Sequence, residues 1–155
     1  MNTERHEPYK NKWIILITIL LLTFMSTLDG SSVNVALPTM AKELSVNTQS
    51  ISWVVSAYLI GICTVILAFG KLGDLKGKMK IFKIGVFSFT VGSLMCGLSP
   101  TLPILIISRI LQALGAAASM ATSQGIITEA FPKNESGRAL GLNGTFVALG
   151  SMAGA

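Results

Sequence analysis

Asp29 and Arg109 stand out because each is the only charged residue in a long apolar stretch of the chain. A charge at the centre of a membrane-spanning helix costs about 2.5 to 3.5 kcal/mol even on the mild insertion scale, so it needs a compensating role. A carboxylate in a partly desolvated cavity can take up and release a proton, and a neighbouring guanidinium, which stays charged, favours the ionised carboxylate. The two residues therefore predict proton transfer within a membrane.

Each residue also has a purely structural interpretation. Asp29 could lie at the interface, at the outer end of a short first helix, and Arg109 could extend its side chain to the outer surface.

The rise of an α-helix gives the depth of each residue in the membrane. Asp29 lies about 24 Å from the inner start of the first helix at Trp13, and Arg109 lies about 10 Å from the outer start of the fourth helix at Leu102. In a hydrocarbon core about 30 Å thick, both then fall in the outer half and can meet if their helices are neighbours.

Helical spacing places small and polar side chains on the same helix faces as the two charges. The residues that share the face of Asp29 are Met25, Ser26 and Ser32. Those that share the face of Arg109 are Gln112, Ala113, Ala116 and Ser119. This pattern predicts that both faces line a polar cavity and do not face lipid.

The composition shows which elements must position these residues. The chain is 51% apolar and 12% charged, whereas a soluble domain has roughly 25% charged residues. Because about 20 apolar residues span a bilayer, we predict four complete transmembrane helices, at about 13–41, 51–70, 84–98 and 102–128, and an incomplete fifth at 139–155. The predicted fold is an all-α membrane protein, with a cytoplasmic tail at 1–12 and a partial helical bundle at 13–155.

The basic residues predict the orientation of the bundle. The second connection carries Lys71, Lys76, Lys78, Lys80 and Lys83. The first connection has one base and one acid, and the third has no charge. Lysine-rich connections stay in the cytoplasm, so the second connection and the N-terminus are predicted to be cytoplasmic in a multi-pass protein of the cell membrane. The net charge of +5 is thereby explained by orientation, and a nucleic-acid partner is not expected.

A cleaved signal peptide is an alternative interpretation of the first apolar stretch, because lysines precede it. The stretch offers a poor small-residue cleavage site, and further apolar sequence follows Asp29. We therefore favour a retained helix.

Small residues in the fourth and fifth stretches predict close helix packing, because lipid supplies no hydrophobic drive for helices to associate. The positions that we assign to packing are Gly115, Gly150 and Gly154. Ordinary packing in any helical membrane protein also produces such patterns.

No arrangement of residues indicates an enzyme, a metal site or a cofactor. The single histidine, His6, lies in the polar tail, and no paired acids or nucleophile with a base share a predicted helix. Cys63 and Cys96 fall in different predicted helices and are interpreted as apolar packing residues.

The sequence GKLGDLKGKMK at 70–80 resembles the signature of the major facilitator superfamily between its second and third helices. The resemblance implies a cytoplasmic gating loop with a charge network. Leu75 and Met79 stand where the family often has basic residues, which leaves a weaker network or one rerouted through Lys76 and Lys80. The implied gating residues are Gly70, Gly73, Asp74, Lys76, Gly77, Lys78 and Lys80.

Four further stretches resemble the fourteen-helix drug:proton antiporters of that superfamily. They are LDGSSVNVALP at 28–38, WVVSAY at 53–58, RILQALGAA at 109–117 and GSMAGA at 150–155. The resemblance implies that the first and fourth helices line a central cavity and that Arg109 takes part in proton transfer. Ser31, Ser32, Ala113 and Ala155 depart from the usual residues of these signatures.

The resemblance implies the N-terminal portion of a proton-coupled secondary transporter, which exports drugs or other small molecules by antiport. Its expected partners are a small-molecule substrate, protons, the lipid bilayer and the missing remainder of the transporter. The chain alone is expected not to transport, because alternating access needs two bundles that move against each other. The alternative is a small helical membrane scaffold or partner subunit without transport activity.

Overall fold

The computed structural model describes residues 10–155, which form five helices with short connections. Residues 1–9, including His6 and most of the predicted cytoplasmic tail, lie outside the described residues. Within residues 10–155, the first four helices are long and apolar enough to span a bilayer. The predicted all-α membrane fold is therefore confirmed. The helices are α1 Lys12–Glu43, α2 Thr48–Lys76, α3 Lys78–Gly97, α4 Leu102–Ala130 and α5 Lys133–Ala153.

The helices extend beyond the apolar stretches that predicted them. The segment expected as a loop between the second and third helices is helical up to Lys76 and again from Lys78, so only Gly77 connects α2 to α3. Its φ of 99° suits glycine, which has no Cβ to clash, and its N–H caps α2 by donating to the Gly73 carbonyl at 2.9 Å. Hydropathy identifies only the part of a helix that lies in hydrocarbon. The lysines belong to the parts that extend into water, where their charged ends are hydrated while their apolar stems cover the helix.

The fifth helix also begins earlier than predicted. It starts at Lys133, directly after Pro132, and ends at Ala153. Polar residues of its first turns lie outside the apolar stretch that began at Ala139, so hydropathy did not detect them.

Helix α4 lies at the centre of the bundle. It contains nearly half of the buried residues within residues 10–155, and both α2 and α3 pack against it. A Cβ added at Gly115 would lie 2.6 Å from the Gly85 carbonyl oxygen and 2.8 Å from the Cα of Phe89. The backbones of α3 and α4 therefore touch at this glycine.

Helix α1 packs along α5, and two features hold them together. At one end, Lys12 forms a 2.7 Å ion pair with Glu135. Further along, a Cβ at Gly150 would lie 2.8 Å from the Phe24 carbonyl oxygen, and one at Gly154 would lie 2.6 Å from that of Leu28. The two glycines thus let α5 approach the turn of α1 that precedes Asp29.

Two apolar clusters bridge α1 and α4 at the two ends of the bundle. One contains Leu16, Ile19 and Ile127, and the other contains Ala41 and Leu105. The segments of α1 and α4 between these clusters carry Asp29 and Arg109.

Candidate functional site

The structure places Asp29 of α1 against Arg109 of α4. An Nη1 hydrogen of Arg109 is donated to Oδ2 of Asp29 at 2.7 Å. The arginine side chain is only 3% exposed, whereas the aspartate is 29% exposed. The pair therefore has a buried, permanently charged member and a partly exposed member.

Arg109 has a second acceptor on its own helix. The same Nη1 atom donates to Oε1 of Gln112 at 2.6 Å, and Gln112 is completely buried. The amide of Gln112 in turn reaches α3, where its Nε2 donates to Oγ of Ser93 at 2.9 Å. The thiol of Cys96, also on α3, donates to Oε1 of Gln112 at 3.7 Å. Helix α3 is thus linked to the arginine through Gln112.

Tyr58 of α2 supplies a third contact. The guanidinium carbon of Arg109 lies 4.3 Å from the centre of the Tyr58 ring, an arrangement in which the ring face attracts the cation. Tyr58 is itself buried, and Nε of Arg109 has no hydrogen-bond partner within residues 10–155. Side chains of α1, α2 and α4 therefore converge on one desolvated cation.

The residues expected to line a cavity differ in their surroundings. Met25 is 58% exposed, and Ser26 and Ser32 are half-buried on α1. Gln112 and Ala116, by contrast, are buried among α2, α3 and α4. That these residues line a polar cavity therefore stays a prediction, because helical spacing defines a face but not the helix that covers it.

Charged residues at the α2–α3 junction form a separate cluster. Lys78 pairs with Glu129 at 2.5 Å and with Asp74 at 3.3 Å, which ties α3 to the ends of α4 and α2. Among the described residues, the ion pairs of this cluster are made by Lys78, and none is made by Lys76 or Lys80. The sequence signature did not indicate Glu129, because it lies 51 residues after Lys78.

Replacing Tyr58 tests the ring contact. We expect Tyr58→Leu to lower the free energy of unfolding by about 2 kcal/mol through loss of a desolvated cation–π contact. Tyr58→Phe, which keeps the ring, should cost less than half as much. Thermal unfolding of the purified complete gene product measures both. In an Arg109→Met background the difference between leucine and phenylalanine should shrink; an unchanged difference would mean that the ring only fills volume.

Comparison with known proteins identifies the family of the chain. The model of the Major Facilitator Superfamily matches residues 19–155. The chain therefore belongs to the major facilitator superfamily, and the prediction of this family is confirmed.

Three curated relatives are similar to nearly the whole chain. The riboflavin transporter RibZ of Clostridioides difficile is 49% identical over 94% of this chain and 32% of its own length. The uncharacterized transporter YebQ of Escherichia coli is 39% identical over 95% of this chain and 32% of its own length. The multidrug resistance protein Stp of Mycobacterium tuberculosis is 37% identical over 94% of this chain and 27% of its own length. The chain spans about a third of the length of these relatives.

Proposed function

We propose that the chain is the N-terminal portion of a proton-coupled secondary transporter that exports small molecules by antiport. The observation that carries the proposal is the Asp29–Arg109 pair, at 2.7 Å and with unequal exposure. Arg109 keeps its charge at any physiological pH. Asp29 is therefore the member of the pair that exchanges a proton with solvent.

The proposed substrates are hydrophobic or cationic molecules. A carboxylate can bind either a proton or a substrate cation, and each disfavours the other because both reduce its negative charge. Such competition at Asp29 would exchange one for the other across the membrane. Two of the relatives are named for riboflavin transport and multidrug resistance, which supports small organic substrates.

We also propose that the N-terminus is cytoplasmic and that the protein lies in the cell membrane. The start of α1, the α2–α3 junction and the start of α5 all belong to one end of the bundle, because successive helices alternate in direction. Lys12, Lys76, Lys78, Lys80 and Lys133 lie at this end. The positive-inside rule assigns such an end to the cytoplasm.

The test uses inside-out membrane vesicles that contain the complete gene product and have an acidified interior. We expect ethidium, a hydrophobic cation, or riboflavin to accumulate in the vesicles and to release protons from them. Dissipating the pH gradient should stop accumulation. If neither compound accumulates or moves protons beyond the level of vesicles without the protein, the proposal fails for these substrates.

The same vesicles report the orientation. A membrane-impermeant thiol reagent should label Lys76→Cys in inside-out vesicles and Ser99→Cys in intact cells, in a background in which the native cysteines are replaced. The reverse pattern would contradict a cytoplasmic N-terminus.

A further inference from the structure

Helix α3 approaches the site most closely at Gly92 and Ser93. A Cβ at Gly92 would lie 2.6 Å from the backbone nitrogen of Gln112 and 2.7 Å from its Cα. Only a glycine allows the two backbones to come this close. The short side chain of the next residue, Ser93, therefore reaches the amide of Gln112 directly.

The hydrogen bonds define which way the Gln112 amide points. Its nitrogen faces the oxygen of Ser93, and its oxygen faces Nη1 of Arg109. Ser93 can accept this bond wherever its own proton points, because a hydroxyl has two acceptor lone pairs. Without an acceptor on α3, the buried amide nitrogen would lack a partner and the amide would turn to find another.

The amide oxygen matters most when Asp29 carries a proton. Neutral Asp29 no longer offers a full negative charge to Arg109, which remains charged and almost completely buried. Protonated Asp29 can still accept a hydrogen bond, but a buried cation that has lost its counter-charge is unfavourable and depends more on its other acceptors. Gln112 is the other side-chain acceptor on Arg109 in the described part of the chain, so it carries more of the stabilisation of the guanidinium in this state.

We propose that Ser93 is a positioning residue that keeps the Gln112 amide turned towards Arg109, so that α3 stabilises the arginine while Asp29 is protonated. The positioning itself follows from the contacts of α3 and α4. Its part in proton exchange rests on the proposed function.

The thiol of Cys96 gives a spectroscopic measure of the amide position, because it donates to the same Oε1 atom as Arg109. The experiment uses the complete gene product with Cys96 as its only cysteine and records the S–H stretching band by infrared spectroscopy. We expect Ser93→Ala to shift the band to higher frequency, towards its position in Gln112→Ala. Ser93→Thr should restore the band.

Ser88→Ala is the matched control. Ser88 also lies on α3, and its hydroxyl donates to α4, but to the Leu111 carbonyl at 3.2 Å. This variant should leave the Cys96 band in place. An unchanged band in Ser93→Ala, an equal shift in Ser88→Ala, or failure of threonine to restore the band would each overturn the proposal.

Transport in vesicles tests the functional part separately. Loss of one hydrogen bond should lower the rate of proton-driven transport about fivefold in Ser93→Ala, with no further loss when Gln112→Ala is already present. A full additional loss in the double variant would contradict action through Gln112. If the parent protein moves no protons with substrate, the proposed function has failed, while the infrared result still decides whether Ser93 positions the amide.

Discussion

Replacing Asp29 by asparagine is expected to reduce proton-driven transport by the complete gene product to the level of vesicles without the protein. Asparagine keeps the size of the side chain and can still accept a hydrogen bond from Arg109, but it cannot bind and release a proton. Transport of a neutral substrate such as riboflavin down its own gradient should persist, because this movement requires neither proton exchange nor the negative charge of Asp29. The measurement compares both modes of transport in the same vesicles.

Insertion and folding of Asp29→Asn should survive, although with reduced stability. Removing one partner of a buried ion pair costs about 3 to 5 kcal/mol, but Asp29 is 29% exposed and Gln112 still accepts from the arginine, so we expect a smaller loss. Glu43→Gln is the control, because it removes an exposed acid from the end of the same helix and should leave coupling intact. Unchanged coupling in Asp29→Asn would refute the role of Asp29.

Replacing Gly115 by alanine is expected to be the most damaging single-methyl change in the bundle. The added Cβ would meet backbone atoms of Gly85 and Phe89 on α3, and backbone cannot move aside as a flexible side chain can. Overpacking of this kind typically costs about 1 to 3 kcal/mol. Thermal unfolding of the purified protein and its amount in the membrane should both decrease.

The control for this change is Gly144→Ala in α5. A Cβ at Gly144 would meet no atom within 4 Å, and alanine favours a helix over glycine by about 1 kcal/mol. This variant should be as stable as the parent or slightly more stable. Equal destabilisation by the two substitutions would show that the α3–α4 contact at Gly115 is not close in the assembled protein.

The fold could be predicted from the sequence because of one physical constraint. A bilayer requires helices of about 20 apolar residues, so composition alone predicted the helices that contain Asp29 and Arg109. The ends of the helices were harder to predict from the sequence. Lys71 and Lys76 look like loop residues on a hydropathy scale, yet they continue α2 as good helix formers, and only the structure shows that Gly77 is the single point where the helix ends.

The site was predictable only where a residue was costly in its surroundings. Asp29 and Arg109 could be identified because charge is rare within a membrane. Tyr58 and Ser93 are ordinary residues in a membrane helix. Tyr58 contacts Arg109 and Ser93 contacts Gln112, in each case from a different helix. The sequence did not indicate that Gln112 is buried. Helix α3 covers it because Gly92 and Gly115 let α3 and α4 come close together.

The one-residue connection at Gly77 also restricts how the chain can be built into the membrane during synthesis. Only one residue separates the end of α2 from the start of α3, so the orientation of one helix in the bilayer determines that of the other. If the junction is cytoplasmic, as we propose, the inverted pair would require the lysines around Gly77 to cross the bilayer. We therefore expect an error in the orientation of α2 to be passed on to α3.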